Sequence, residues 1–254
     1  KFDANSFPSW QLTDRQICDL ELLLNGGFSP LNGFITRDDY ESVLHEMRLQ
    51  GGSLWPIPIT LDVTKKFAEK VNKGEKIALR DKEGFALAVL TVSDKWEPDL
   101  EKEAKLVYGT TDVIHPAVNY LFNISNQIYL GGKLEGISYP HHYDYKFDRH
   151  TPQDLKFFFS ENGWKKIVAF QTRNPLHRAH VEMTTIALEN LKAKLLLHPV
   201  VGMTKPGDVD HYTRVRCYKY VMEKYTENTA MLSLLPLAMR MGGPREALWH
   251  ALIR

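Results

Sequence analysis

The second half of the chain alternates short apolar runs with longer amphipathic ones, and nothing else in the sequence constrains the fold as much. The pattern predicts strands at 166–170, 194–201 and 229–235 and helices at 177–191, 211–224 and 244–254. Strand–helix repeats in that order imply parallel strands joined by right-handed crossovers. Thr151-Pro152-Gln153-Asp154 caps a further helix ahead of the first strand, with proline at its first helical position. Ligands of open parallel sheets gather beyond the carboxyl ends of the strands. That rule directs attention to the segments after Phe170, Leu197 and Leu235.

Residues 1–150 read as a separate, β-rich domain with helices, and residues 151–254 as an α/β domain. Thr13-Asp14-Arg15-Gln16 is a capping box followed by apolar Ile17, Leu20, Leu23 and Leu24, and Asn25-Gly26-Gly27 closes that helix. A second helix is predicted at 38–49, and 58–63 alternates like a strand. Residues 76–80 and 85–92 flank Asp81-Lys82-Glu83-Gly84 as a hairpin; 128–130 and 134–137 flank Gly131-Gly132 as another. The aromatic, His- and Asp-rich stretch 139–150 reads as a connector, with His141, His142 and Asp144 solvated rather than metal-binding.

Composition excludes several classes. The net charge of +1 gives no broad field for nucleic acid or acidic membranes. No apolar run approaches the roughly 20 residues needed to span a bilayer, and no signal segment opens the chain. Cys18 and Cys217 match no zinc or redox spacing; buried thiols in a reducing cytoplasm are expected. The chain begins Lys1-Phe2-Asp3 without an initiator Met and stops at Arg254 inside a helical pattern, so a fragment of a longer protein is expected.

The segment Gln171-Thr172-Arg173-Asn174-Pro175-Leu176-His177-Arg178-Ala179-His180 joins the first of the alternating strands to its helix. A helix start offers backbone N–H groups and a positive dipole end, which favour anions. The segment adds a guanidinium, an amide and two imidazoles, and on a helix the spacing of His177 and His180 would place both rings on one face. A polyanion site, most simply a nucleoside triphosphate site, is the reading. No metal-ligand set with familiar spacing accompanies it.

This segment resembles the Gln-x-Arg-Asn-Pro-x-His-x-x-His signature of ATP sulfurylases (sulfate adenylyltransferases), a form of the His-x-x-His element of nucleotidyltransferases. Leu235-Pro236-Leu237-Ala238-Met239-Arg240-Met241-Gly242-Gly243-Pro244-Arg245-Glu246-Ala247-Leu248-Trp249-His250, Leu197-His198-Pro199-Val200-Val201-Gly202-Met203-Thr204-Lys205-Pro206-Gly207-Asp208 and Gly27-Phe28-Ser29-Pro30-Leu31-Asn32-Gly33-Phe34 also look like family sequence. The resemblance implies a Rossmann-like nucleotidyltransferase domain preceded by a smaller PUA-like domain. It implies transfer of AMP from ATP to sulfate, giving adenosine 5′-phosphosulfate and pyrophosphate, in a cytoplasmic homo-oligomer, a dimer being favoured. Mg²⁺ would arrive with ATP, and neither nucleic acid nor membrane is an expected partner.

By the same resemblance, Gln171, Arg173, Arg240 and backbone near Gly243 would bind sulfate. Gln171, Thr172, Arg173, Asn174, His177 and His180 would bind ATP. Arg173, Asn174, His177, His180 and Arg240 would carry catalysis, and Thr204, Lys205 and Asp208 would belong to a mobile lid. Arg214 and Arg216 read as a solvated helix face, the alternative being that one of them approaches phosphate. Arg245 and Glu246 read as an ion pair, and Trp249 and His250 as packing. The family's Gly-Arg-Asp-His-type segment of the adenine and ribose pocket is absent from this stretch, as is a Gly-x-x-x-x-Gly-Lys-Ser/Thr loop. Two rival readings are a related nucleotidyltransferase with a phosphorylated acceptor, and a non-catalytic RNA-binding β-fold.

Overall fold

The computed structural model describes residues 3–254. Lys1 and Phe2, with the reading of the chain's start that rests on them, lie outside the described residues. The chain divides into two compact units: residues up to Pro140 together with Arg240–Arg254, and His141–Met239.

The first unit comprises β1 (Ser9–Gln11), α1 (Asp14–Leu24), β2 (Gly33–Phe34), α2 (Arg37–Glu46), β3 (Leu61–Val63), α3 (Lys65–Ala68), β4 (Lys76–Arg80), β5 (Ala86–Trp96), α4 (Leu100–Glu103), α5 (Pro116–Asn123) and β6 (Ile128–Gly136). The strands form one mixed sheet in the order β1-β4-β5-β6-β2, with β3 also on β6. The capping box at Thr13 and Gln16 forms as the sequence predicts. Gln16 does more than cap: its amide nitrogen donates to the Asp62 carbonyl and carboxylate, each at 2.8 Å, tying α1 to β3. The hairpin β4–β5 is also as predicted.

Gly131-Gly132 is not a turn. Both glycines lie inside the continuous strand β6, where a bulge shifts its register against β5. A Cβ at Gly131 would collide with the Ile35 carbonyl, and one at Gly132 with the Thr91 carbonyl. The pair therefore permits close backbone approach from both neighbours rather than a reversal of direction. The predicted helix 38–49 stops earlier, because Met47 adopts a left-handed conformation (φ 53°) and ends α2.

The second unit comprises α6 (Pro152–Glu161), β7 (Ile167–Phe170), α7 (Arg178–Leu191), β8 (Lys194–Leu197), α8 (His211–Met222) and β9 (Ala230–Leu232). Its sheet is wholly parallel, in the order β7-β8-β9, as the alternation requires. Leu195, Leu197, Val215, Tyr218, Leu232 and Leu234 form its core between the sheet and α8. The strands are shorter than predicted. Pro199, which has no N–H, interrupts β8, and beyond it Val200 forms an isolated bridge with Leu235.

Within 141–150, His141, Tyr143 and Phe147 are exposed, but Asp144 is not simply solvated. Asp144 accepts from His211 Nε2 at 2.7 Å and from Arg149 at 2.9 Å, fastening this stretch to α8. Both cysteines are half-buried rather than buried, and neither forms a disulfide. Among the described residues no helix is long and apolar enough to cross a membrane.

The final helix, α9 (Gly243–Ile253), belongs to the first unit. Trp249 is fully buried there against Phe28, with ring centroids 5.4 Å apart. Arg245 and Glu246 do not pair with each other. Arg245 donates to the carbonyls of Val43 and Leu44, at the end of α2, and of Pro56. A cation suits the negative end of the helix dipole.

Candidate active site

In the second unit, β7 delivers the chain into the loop 171–177 and α7 carries it away. The loop's shape is set by backbone pairing. His198 N–H donates to the Phe170 carbonyl at 2.8 Å and Val200 N–H to the Thr172 carbonyl at 2.9 Å, extending the β8 register past the strand end. Thr172 Oγ1 accepts from Asn174 N–H and donates to the Asn174 carbonyl, both at 3.0 Å. The buried Tyr218 of α8 donates to that same carbonyl at 2.9 Å. Leu176 packs into the core beneath. A loop fixed at so many points presents its side chains with little freedom left to lose on binding.

His177 is the N-cap of α7 and His180 lies in its first turn. Their rings are 3.9 Å apart between centroids, tilted by 36°. His177 N–H donates to His180 Nδ1 at 3.4 Å, which leaves Nε2 as the protonated nitrogen of the neutral ring. Burial, and then the neighbouring His177, hold the His180 imidazole below its ordinary value. The first turn carries no acidic residue. Asn174 and His177 are exposed; Gln171, Thr172, Arg173 and His180 are half-buried. The unit thus brings Gln171, Thr172, Arg173, Asn174, His177 and His180 onto one strand–loop–helix junction.

The expected lid lies in the same unit, and one of its residues touches the junction. Asp208 Oδ2 stands 3.2 Å from Arg173 Nε and accepts from Lys205 N–H at 3.1 Å. Thr204 is half-buried and Lys205 exposed. Arg214 is not on a solvated face. It is buried, and it donates to the carbonyls of Val200 and Val209 at 2.7 and 2.8 Å. One guanidinium thereby ties together both ends of the 200–209 loop. Arg216 is exposed and donates to Thr213.

Arg240 and Gly243 belong to the other unit. Arg240 is 4% exposed and its Nη2 donates at 2.5 Å to Asp19, itself 1% exposed. Burial works against the charge on Arg240; Asp19 outweighs it and keeps the guanidinium above its ordinary value. At the turn before Gly243, Glu246 accepts from the N–H groups of Arg240 and Gly242 at 2.6 and 3.1 Å. His250 stands 3.3 Å from the same carboxylate. A carboxylate from α9 itself therefore serves this helix start.

Sequence reasoning missed Asp19, Tyr218 and the Asp208 contact. Tyr218 and Asp19 each fall on the apolar face of a predicted helix, which flags them for burial but not for a partner. Among the described residues, no three His, Cys, Asp or Glu side chains are grouped to hold a metal ion.

A PUA-like domain model matches residues 1–139, and an ATP-sulfurylase model matches residues 147–254. The sulfate adenylyltransferase of Kluyveromyces lactis is 56% identical over 251 residues, which span 99% of this chain and 50% of that protein. The chain belongs to the ATP-sulfurylase family. The sulfate adenylyltransferase of Saccharomyces cerevisiae is 53% identical over 245 residues, covering 96% of this chain and 48% of that protein. A solved structure described as a hexameric APS kinase from Thiobacillus denitrificans superposes with a TM-score of 0.82 at 34% identity, over 99% of this chain and 46% of that one. The chain spans about half the length of the curated relatives it matches.

Proposed function

We propose that the protein to which this chain belongs is a sulfate adenylyltransferase. A sulfate oxygen attacks the α-phosphorus of ATP, the new S–O–P bridge forms, and the α–β bridging P–O bond breaks to release pyrophosphate. Sulfate is already ionised, so no base is required. The protein's task is to hold two mutually repelling anions in line and to stabilise the charge that spreads over the phosphoryl oxygens.

The observation that carries this reading is the junction of β7 and α7, where a guanidinium, an amide and two closely approaching imidazoles gather at the N-terminal end of a helix. In it, Arg173 and Gln171 bind sulfate, because a planar fork matches a tetrahedral oxyanion. Asn174 and Thr172 take the terminal phosphates, and His177 and His180 face the bridging region. Thr204, Lys205 and Asp208 form the lid. Arg240 and the backbone at Gly243, in the first unit, are also assigned to sulfate, with Asp19 and Glu246 fixing their orientation there. Residues 151–254 serve as the catalytic domain and residues 1–150 as its β-rich companion.

Mg²⁺ arrives with ATP, coordinated by phosphate oxygens and water; the described residues group no carboxylate cage for it. The protein works in the cytoplasm as a homo-oligomer, a dimer being the first expectation, without nucleic acid or membrane as a partner.

The test is pyrophosphate release by the full-length protein from ATP with sulfate, with no acceptor, and with a phosphomonoester. Release that depends on sulfate supports the reading. Release only with the phosphomonoester assigns the site to another acceptor. Molybdate gives continuous ATP breakdown at a sulfate-type site, since its mixed anhydride hydrolyses at once.

A further inference from the structure

The contact between Arg173 and Asp208 joins two parts of the second unit that sequence places far apart. Arg173 lies in the junction loop after β7, and Asp208 in the loop after β8. The side chains are 28% and 13% exposed, so the carboxylate is the more sheltered partner. Around it the loop is open: Lys205, Pro206 and Gly207 are all exposed. Gly207 has a φ of +89° and open space where a Cβ would stand. The turn closes through Lys205 N–H to the Asp208 carboxylate and Asp208 N–H to the Lys205 carbonyl, both at 3.1 Å.

The feet of this loop do not share that looseness. Arg214, 2% exposed, holds the carbonyls of Val200 and Val209. Met239 N–H donates to the Met203 carbonyl at 2.9 Å. The result is a pinned base, a glycine-bearing tip and a single inward carboxylate seated on the guanidinium that the proposed function assigns to sulfate.

We propose that Asp208 is a tethered counter-anion: it occupies Arg173 while the site is empty and yields it to the incoming oxyanion. The inference rests on the reading of Arg173 as a sulfate ligand. A guanidinium left alone in a half-sheltered site pays a desolvation cost that a carboxylate relieves. A carboxylate on the same chain does so at high effective concentration. A singly charged, weakly held ion such as chloride then fails to displace it, whereas a tetrahedral dianion has both the charge and the geometry to do so. Displacement frees the tip of the loop, so arrival of sulfate and movement of the lid become one event. Asp208 is in this account a positioning residue for Arg173 and touches no reacting atom.

The test is calorimetric titration of sulfate into the full-length protein, with the α,β-methylene analogue of ATP present so that nothing turns over. Asp208→Asn keeps an acceptor for Lys205 N–H and removes the charge. It is expected to tighten sulfate binding by about 1.5- to 5-fold, the range a partly exposed ion pair supports. Asp208→Glu keeps the charge and is expected to bind sulfate like the wild type. In the double variant with Arg173→Ala, the gain is expected to vanish, since the two residues act on one another. Unchanged or weaker sulfate binding in Asp208→Asn, with Arg173→Ala still weakening binding, overturns the counter-anion and leaves the function standing. A gain that survives in the double variant also overturns it. Sulfate binding no weaker in Arg173→Ala than in the wild type sinks the assignment of Arg173, and with it both proposals.

Discussion

At the scale of the residue, the junction after β7 gathers a guanidinium, two amides and two imidazoles at the start of one helix. His180 shows the consequence most directly. Burial and then the neighbouring His177 hold its imidazole below the ordinary value, so the empty site presents it neutral at pH 7. A triphosphate beside it acts in the opposite sense and favours the charged ring. ATP binding to the full-length protein should therefore take up protons just below about pH 6.5, the ordinary histidine midpoint. Calorimetry in buffers of different ionisation enthalpy measures that uptake, and His180→Ala should lose most of it. Undiminished uptake in the variant would assign the proton elsewhere. The residues of this junction were legible in the sequence because their types and spacing are peculiar. Their fixings were not: nothing in the sequence marks Tyr218 as the donor to Asn174, or Asp208 as the neighbour of Arg173. Those contacts come from segments that only the parallel sheet brings together.

At the scale of the element, the strand–helix alternation of the second unit and the caps at Thr13 and Thr151 were readable, since each rests on local pattern. The misreading of Gly131-Gly132 shows where local pattern stops. A glycine pair between two apolar runs signals a turn, yet here it serves the crowding of β2 and β5 against β6, which depends on partners distant in sequence. Gly132→Ala should consequently destabilise the first unit by on the order of 1–3 kcal/mol, the cost of overpacking, seen as a lower urea midpoint with an unchanged slope. Stability equal to wild type would mean that β6 can shift without penalty.

Glu103, at the end of α4, provides a second element-scale test. It is buried, accepts from Tyr40 and Tyr129 at 2.8 and 3.1 Å, and burial pushes its carboxyl up to about 7 despite those donors. The folded state therefore holds a proton there that the unfolded chain releases near its ordinary value, about 4.3. The stability this provides is complete at low pH and declines as pH rises through about 7. Glu103→Gln, neutral throughout, should flatten the fall in stability between about pH 4.3 and pH 7, the window those two values bracket. An equally steep fall in the variant would assign the titration to another group.

At the scale of the whole molecule, the chain comprises a mixed-sheet unit, whose buried charged residues include Asp19, Glu103, Arg240 and Glu246, and a parallel-sheet unit whose candidate site residues lie beyond β7 and β8. The gathering of residues 171–180 at a strand end was legible from the sequence, because the strand–helix alternation implies a parallel sheet, whose ligands collect beyond strand ends. The setting of Arg240 was not, since a lone arginine in a loop gives no sign that a buried carboxylate on α1 will meet it. The central claim is that the β7–α7 junction seats an oxyanion against ATP through Arg173. Its most direct test is the rate of sulfate-dependent pyrophosphate release by the full-length protein, wild type against Arg173→Ala, with circular dichroism confirming that the variant is folded. The account predicts a loss of about 10²-fold or more, the usual cost of removing a donor that holds the reacting oxyanion. A folded variant that turns over sulfate at close to the wild-type rate would contradict it.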